Sequence, residues 1–544
     1  MNSRFAVFSL ILIVVGAVLG GLFGHLPAQT SAEAGVTSDR LLSEYKEALK
    51  VIDAGYADQV DYEAVSDSSM QSMLWALDPH SAFFTSDEFQ KLNEEQSSQF
   101  YGIGVSILQH RDGVYVQSVI PNTPADAAGL RYGDRILSVD AKDARDWTSG
   151  EVSKNVRGRR GTSVNVEIER VGGPKPLNFE IVRGGVPLPS IRNYFMLPGG
   201  IGYVGLTGGF QQTTGEELTL AVTELKKRGM KSLVLDLRGN PGGILEQAIA
   251  VVSKFVPSGQ TVVSVKGAGG SEPRNLVSSG GEIENFPLVV MINGGSASAS
   301  EIVAGAIQDY GRGLVVGSDS FGKGLVQRVF KLPFGTGLTL TTARYYTPYG
   351  RSLQRDYSSG SIYEYFSHSD VSDDTEAKEE TPVGVPVSTA GGRVLYGGRG
   401  IEPDVKVEAL GPNPVRARIN EAAFFFVRRL AAGQVAGFEK FRVDKQNFRQ
   451  TLQPNEFGVT DGLYEAFVAF AAGDKKNGLT AENIAVHADH TRRRVREELA
   501  TANYSTEAGV QVLLEADPQI LKAMDLMPKA GELALAFTGS KSAN

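Results

Sequence analysis

The 544-residue chain contains no cysteine. That absence removes disulfides, cysteine-ligated zinc, iron–sulfur clusters and thiol nucleophiles together, so any nucleophile is an oxygen or an amine. It also suits an oxidising compartment, where a stray thiol would mispair. A basic excess is missing too: 54 Lys and Arg stand against 62 Asp and Glu, a net charge of −8, which argues against nucleic acid as a partner. Histidine is scarce, with six residues, and none has a catalytic setting. His487 and His490 lie in a polar helical tail, His80 follows Asp78-Pro79, and the others are isolated, so each reads as structural or solvated.

What is present points to several domains, because single cores stop growing near about 250–300 residues. After Arg4 an uncharged run from Phe5 to Phe23 is long enough to cross roughly 30 Å of hydrocarbon as a helix. Residues 1–24 are therefore expected to enter a membrane, either as a retained anchor or as a signal segment cleaved near Ala32-Glu33-Ala34. The remainder is expected in the cell envelope, on the periplasmic side of the inner membrane or free in the periplasm.

Residues 38–98 carry apolar positions at helical spacing (Leu41, Leu42, Tyr45, Ala48, Leu49, Ile52) and predict two or three helices. Over 99–185 the texture changes to short alternating runs broken by Gly, Pro and Asp, which predicts a small β-rich module. From 186 to 410 apolar runs such as Leu233–Leu237 and Leu288–Ile292 alternate with helical segments, as in β/α units around a largely parallel sheet. Within that block the acidic stretch Asp370–Glu380 reads as a solvated loop. Helical periodicity returns over 411–544.

Three segments of the α/β block carry chemistry. In Asn293-Gly-Gly-Ser-Ala-Ser-Ala-Ser-Glu-Ile302, Ser298 sits between an apolar run and a helix, where backbone N–H groups face a developing negative charge. The same residues fit a second role, since Ser298 and Glu301 have capping-box spacing. The second segment, Gly317-Ser-Asp-Ser-Phe-Gly-Lys323, nearly spells a phosphate-binding loop but fails at Gly324, where a hydroxyl is needed, and runs on into a strand. Lys323 there is either a solvated loop lysine or, if burial lowers its pKa, a base for Ser298. The third, Asp236-Leu-Arg-Gly-Asn-Pro-Gly-Gly243, ends a strand with glycines that let N–H groups approach a ligand closely, and it also fits a plain strand-to-helix turn.

Together with Leu77-Asp-Pro-His-Ser81, Tyr101-Gly-Ile-Gly-Val105, Gly129–Ile136, Val156–Thr162, Tyr346–Ser352 and Gly400-Ile-Glu-Pro-Asp404, these segments resemble the carboxyl-terminal processing peptidases, or tail-specific proteases, over about Asp39–Val405. The resemblance implies a multidomain α/β protein: a crotonase-like protease core with an inserted PDZ domain, a helical N-terminal region and a helical C-terminal extension. It implies a serine endopeptidase in which Ser298 is the nucleophile, Lys323 the general base and Gln327 the residue that holds the lysine. Ala299 and a glycine of the Gly242-Gly243 pair would donate to the oxyanion, while Gly102, Ile103, Gly104 and Val105 would receive the terminal carboxylate of a polypeptide substrate. Asp309 matches a supporting position in some members, and pairing with Arg312 is an equal alternative. No metal or cofactor is required.

Two features depart from the family pattern: an insertion over 355–399, which fits a lid, a docking element or, by default, a passive loop, and the helices beyond 411, which could serve self-association or an adaptor protein. One rival reading is a catalytically silent peptide-binding scaffold, against which stands the retention of both Ser298 and Lys323. Another is an acyl-CoA enzyme of crotonase type, which has no use for a PDZ-like module.

Overall fold

The computed structural model describes residues 37–544 except 97, 174, 268–271, 359–364, 367–383, 390–391, 450 and 540–544. The Phe5–Phe23 run, Ala32-Glu33-Ala34 and the acidic stretch Asp370–Glu380 lie outside the described residues. Among those described, no helix is long and apolar enough to cross a membrane. The chain divides into two compact units, Met1–Ser72 and Met73–Asn544.

In the first unit the helix Ser38–Gly55 begins at Thr37, whose side chain accepts from the Arg40 N–H. None of its residues is buried, and Leu41, Leu42, Tyr45 and Val51 are exposed. A second helix, Tyr62–Trp75, starts in this unit and runs on into the next.

The second unit is built on a six-stranded sheet in the order Ile191–Leu197, Ile201–Leu206, Ser232–Asp236, Leu288–Ile292, Leu314–Gly317 and Val405–Lys406. The first pair is antiparallel and all later pairs are parallel. The continuous apolar runs that mark these strands follow from burial of both faces. Leu233, Leu235, Val290 and Ile292 point toward the helices Thr214–Lys227, Leu245–Val252 and Ala299–Asp309. The alternate residues Val234, Val289, Met291 and Val316 pack against Ile520, Ala523, Met527 and Ala530 from the C-terminal helices Pro518–Asp525 and Met527–Gly539. A second sheet places Ala82–Phe84 beside Gly337–Tyr346, which also pairs with Leu325–Lys331 and Thr261–Gly267. The described residues between 37 and 98 thus form helices and one short strand.

The β-rich module over 99–185 is a separate sheet in the order Val105–His110, Gly113–Val119, Arg135–Val139, Ser163–Glu169 and Leu177–Val182. Val105–His110 is its edge strand, and Val105 and Ile107 share a core with Val152 and Val156 of the helix Ser149–Val156. The helices Pro414–Ala431, Asp461–Gly473 and Ala488–Asn503 enclose a core of their own around Phe426, Phe467 and Leu499. They also hold the β-rich module. The His110 ring stacks on Phe424 at 4.1 Å, the Tyr132 hydroxyl donates to Glu498 at 2.6 Å, and Arg428 donates to the Gly133 carbonyl at 2.6 Å.

Because Ile520 is fully buried under the core sheet, Ile520→Ala is expected to destabilise the chain by about 2–5 kcal/mol. Chemical denaturation followed by circular dichroism checks it, and an unchanged midpoint would show that these helices are not part of the core.

Candidate active site

Three turns converge at the C-terminal ends of adjacent parallel strands, where open α/β sheets form their sites. Ser232–Asp236 leads to Gly242 and Gly243, Leu288–Ile292 to Ser298, and Leu314–Gly317 to Lys323. The first two turns are laced together. Gly239 N–H donates to Asn293 Oδ1 at 2.8 Å, Ser296 Oγ to the Leu237 carbonyl at 2.8 Å, and Ser300 Oγ and Ala297 N–H to the Asn240 carbonyl at 2.9 and 3.0 Å. The third turn joins them through Phe321 N–H and the Ser296 carbonyl at 2.9 Å.

Ser298 sits at φ 53° and ψ −110°, a conformation that L residues rarely adopt. Backbone strain of this kind costs about 1–3 kcal/mol and persists only where the surroundings enforce it. The enforcement comes from the helix that follows. Every residue of Ala299–Asp309 is buried, including Glu301, and a buried carboxylate must be hydrogen-bonded. Glu301 Oε2 accepts from Ser298 N–H at 2.7 Å and from Lys323 N–H at 2.9 Å, while Oε1 accepts from Gly322 N–H at 2.7 Å and from Ser320 Oγ at 2.6 Å. One carboxylate therefore ties the serine turn to the lysine loop. Burial raises its pKa, and the hydrogen bonds from Ser320, Gly322, Lys323 and Ser298 oppose that rise. The Ser298–Glu301 spacing reads in the sequence as a helix cap, and nothing there reveals the three donors more than 18 residues away.

The Lys323 pKa is lowered by burial, with the charges of Glu301 and Asp78 pulling the other way. Both come close through the fold, Asp78 from the turn before Ala82–Phe84. There its carboxylate caps that turn, accepting from Ser81 Oγ at 2.7 Å and from His80 N–H at 2.8 Å. His80, which the sequence presents as isolated, is placed beside the lysine: burial first and the Lys323 charge second push its imidazole down to about 3. Backbone hydrogen bonds hold Ser298 and Lys323, and no hydrogen bond links their side-chain tips in this structure. Such contacts commonly tighten only when substrate is bound.

Gly242 packs so tightly on the serine turn that a Cβ there would lie 2.8 Å from Ser298 Cβ and 3.0 Å from Ala299 N, and its φ of +97° also favours glycine. Its N–H is already donated to Asn240 Oδ1 at 2.9 Å. Of the two glycines, only Gly243 has an N–H with no hydrogen-bond acceptor, backbone or side chain, among the described residues, and the Ala299 N–H is in the same position. Gln327 Nε2 donates to Thr341 Oγ1 at 2.7 Å, and Gln327 Oε1 is buried with no partner among the described residues. The hold on Lys323 expected of Gln327 is not made here. Asp309 does not pair with Arg312, which donates instead to the Glu284 and Phe286 carbonyls. Its partner is the buried Arg351, at 2.6 and 3.0 Å, because the 347–351 turn folds back over the C-terminal end of the serine helix.

Gly102, Ile103, Gly104 and Val105 lie in the β-rich module. The Ile103 and Gly104 carbonyls accept from Ala125 and Ile120, whereas the N–H groups of Ile103 and Gly104 have no backbone acceptor among the described residues. The segment therefore presents free donors at the start of the edge strand.

Removing the Glu301 carboxylate leaves its donors unpaired, so in Glu301→Ala the amides of Ser298, Gly322 and Lys323 are expected to lose protection in hydrogen exchange. The central strands should keep theirs. Unchanged protection at all three amides would show that the carboxylate does not hold the turns.

The model of peptidase family S41 matches residues 200–359, and that of the PDZ domain matches residues 102–181. The chain is 35% identical over 318 residues to a carboxy-terminal-processing protease of Bartonella bacilliformis, covering 58% of this chain and 72% of that one. It is 31% identical over 328 residues to a carboxy-terminal processing protease of Bacillus subtilis, covering 60% and 68%. The solved photosystem II D1 C-terminal processing protease matches at 27% identity, covering 67% of this chain and 87% of that one, with a TM-score of 0.35. The chain belongs to peptidase family S41, as a PDZ-bearing serine-type peptidase of the carboxy-terminal processing group.

Proposed function

We propose that the peptidase works through a Ser/Lys dyad, on a core we read as crotonase-like. The observation that carries the reading is the shared oxygen Glu301 Oε2, which accepts from the backbone N–H of both Ser298 and Lys323. In its neutral form Lys323 takes the proton of Ser298 Oγ as that oxygen bonds to the carbonyl carbon of the scissile peptide. The oxyanion of the tetrahedral intermediate accepts from the N–H groups of Ala299 and Gly243. As the C–N bond breaks, the Lys323 ammonium returns its proton to the leaving amine. Water then attacks the acyl-enzyme, giving a proton to Lys323, and Ser298 Oγ recovers it as the new carboxyl terminus departs. During these steps the unpaired Gln327 Oε1 is the acceptor for the ammonium.

Substrate capture follows from the free donors at Ile103 and Gly104, which suit a terminal carboxylate, and from the open edge of Val105–His110 beside the helix Ser149–Val156, where a peptide can add as a strand. The Phe5–Phe23 run supports an envelope location, with the catalytic part on the periplasmic side of the inner membrane. Contacts with an adaptor or a second copy fall to exposed residues of the C-terminal helices such as Leu513, Leu521 and Leu535.

With an unfolded protein as substrate, Ser298→Ala and Lys323→Ala are expected to lower kcat by about a thousandfold or more. Equal cleavage by all three chains would sink the dyad. The neutral amine is the active form and burial lowers its pKa, so kcat/KM should rise with pH along a limb below the ordinary lysine value of about 10.4 and be lost as pH falls through it. Amidating the substrate's C-terminus should raise KM about tenfold with kcat kept, and an unchanged KM would remove the carboxylate role from the PDZ domain.

A further inference from the structure

By default the sequence makes the 355–399 insertion a passive loop, yet two of its described residues lie against the lysine loop. Tyr365 is only 7% exposed. Its hydroxyl accepts from Gln354 Nε2 at 3.1 Å and lies 2.8 Å from His80 Nε2. The Gln354 amide is oriented by Gly324 N–H, which donates to its Oε1 at 2.9 Å. The tyrosine hydroxyl thus bridges the Gln354 amide and the His80 ring.

The rings close the arrangement. Tyr365 meets His80 edge-on at 5.4 Å and Phe321 at 5.8 Å, and Phe366 meets the same two rings at 5.7 and 6.3 Å. The Arg355 guanidinium lies between the Phe321 and Tyr365 rings, 4.1 and 4.3 Å from their centroids, and donates to the Tyr365 carbonyl. Arg355 N–H donates to the Gly322 carbonyl at 3.0 Å. The residues on both sides of Lys323 are thus fastened to the chain where the insertion begins, Gly322 to Arg355 and Gly324 to the preceding Gln354.

We propose that Tyr365 and Phe366 form a wall of the catalytic lysine's site, keeping water from Lys323 and fixing His80 beside it, so that Tyr365 is a positioning residue for the general base. A neutral lysine needs dry surroundings because water stabilises the ammonium far better than an apolar wall does. The charged groups that act on it are Glu301 from the serine helix and Asp78 from the turn before Ala82–Phe84; His80 from that turn lies beside it, and Arg355 and Tyr365 from the insertion pack on His80 and Phe321. Glu301 and Asp78 favour the ammonium, so exclusion of water has to outweigh both. His80, neutral in this setting, adds no opposing charge of its own.

The proposal rests on the dyad reading, and the test separates the two. In the full chain, kcat/KM is followed against pH for wild type, Tyr365→Ala, Tyr365→Phe and Phe366→Ala, with Ser298→Ala and Lys323→Ala alongside. Tyr365→Ala and Phe366→Ala are expected to move the acidic limb upward by about one pH unit, a loss of about tenfold at neutral pH that recovers at high pH. Tyr365→Phe, which keeps the ring, should leave the limb nearly in place. If Tyr365→Ala fails to fold by circular dichroism, Phe366→Ala carries the test, since Phe366 is 45% exposed and its truncation disturbs little. A limb that stays put, whether the rate is unchanged or falls equally at every pH, overturns the wall while the dyad stands. Activity retained by Lys323→Ala overturns both.

Discussion

The site depends on one buried carboxylate. Glu301 lies within a helix whose every residue is buried, where an unpaired charge is far too costly to keep. It is tolerated because donors arrive from the turn that holds Ser298 and from the loop that holds Lys323. The dependence runs both ways. Separating the two segments would leave a buried anion without partners, and removing it would leave buried N–H groups without acceptors. That mutual constraint lets a strained serine at φ 53° persist next to a lysine loop.

The rest of the second unit places those turns. A parallel sheet covered on both faces brings three strand ends together, and the hydrogen bonds through Asn240, Asn293 and Ser296 lock the first two turns before any charge is involved. Arg238 continues this framework beyond the sheet. It chelates Asp236 and donates to Asp517 and Gln519 at 2.7 Å each, so the glycine turn is tied to the C-terminal helices that close the sheet's other face. Asp309 and Arg351 serve in the same way at the far end of the serine helix.

Much of this was legible in the sequence wherever the signal was local. Apolar runs of about five residues mark the core strands because both faces are buried, and the alternation over 99–185 marks a sheet with one wet face. Ser298 and Lys323 stand out because no cysteine or well-placed histidine competes with them. What escaped was the pairing between distant segments. Ser298 and Glu301 spell a helix cap, and the spelling is the same whether the carboxylate serves its own helix or a loop 20 residues on. Asp309 and Arg312 are neighbours in sequence, yet the fold brings Arg351 closer. His80 and Tyr365 are 285 positions apart, and neither has a local pattern that announces the other.

Covalent labelling of the serine is the most direct measurement. The full chain is treated with an alkyl fluorophosphonate over a range of pH, and the adduct is located by peptide mass mapping in wild type, Lys323→Ala and Glu301→Gln. A single adduct on Ser298 is expected, forming faster as pH rises and lost in Lys323→Ala, with Glu301→Gln strongly slowed. An adduct on another residue, or labelling of Ser298 in Lys323→Ala at the wild-type rate and with the same pH dependence, would contradict a lysine-activated serine held in place by one buried carboxylate.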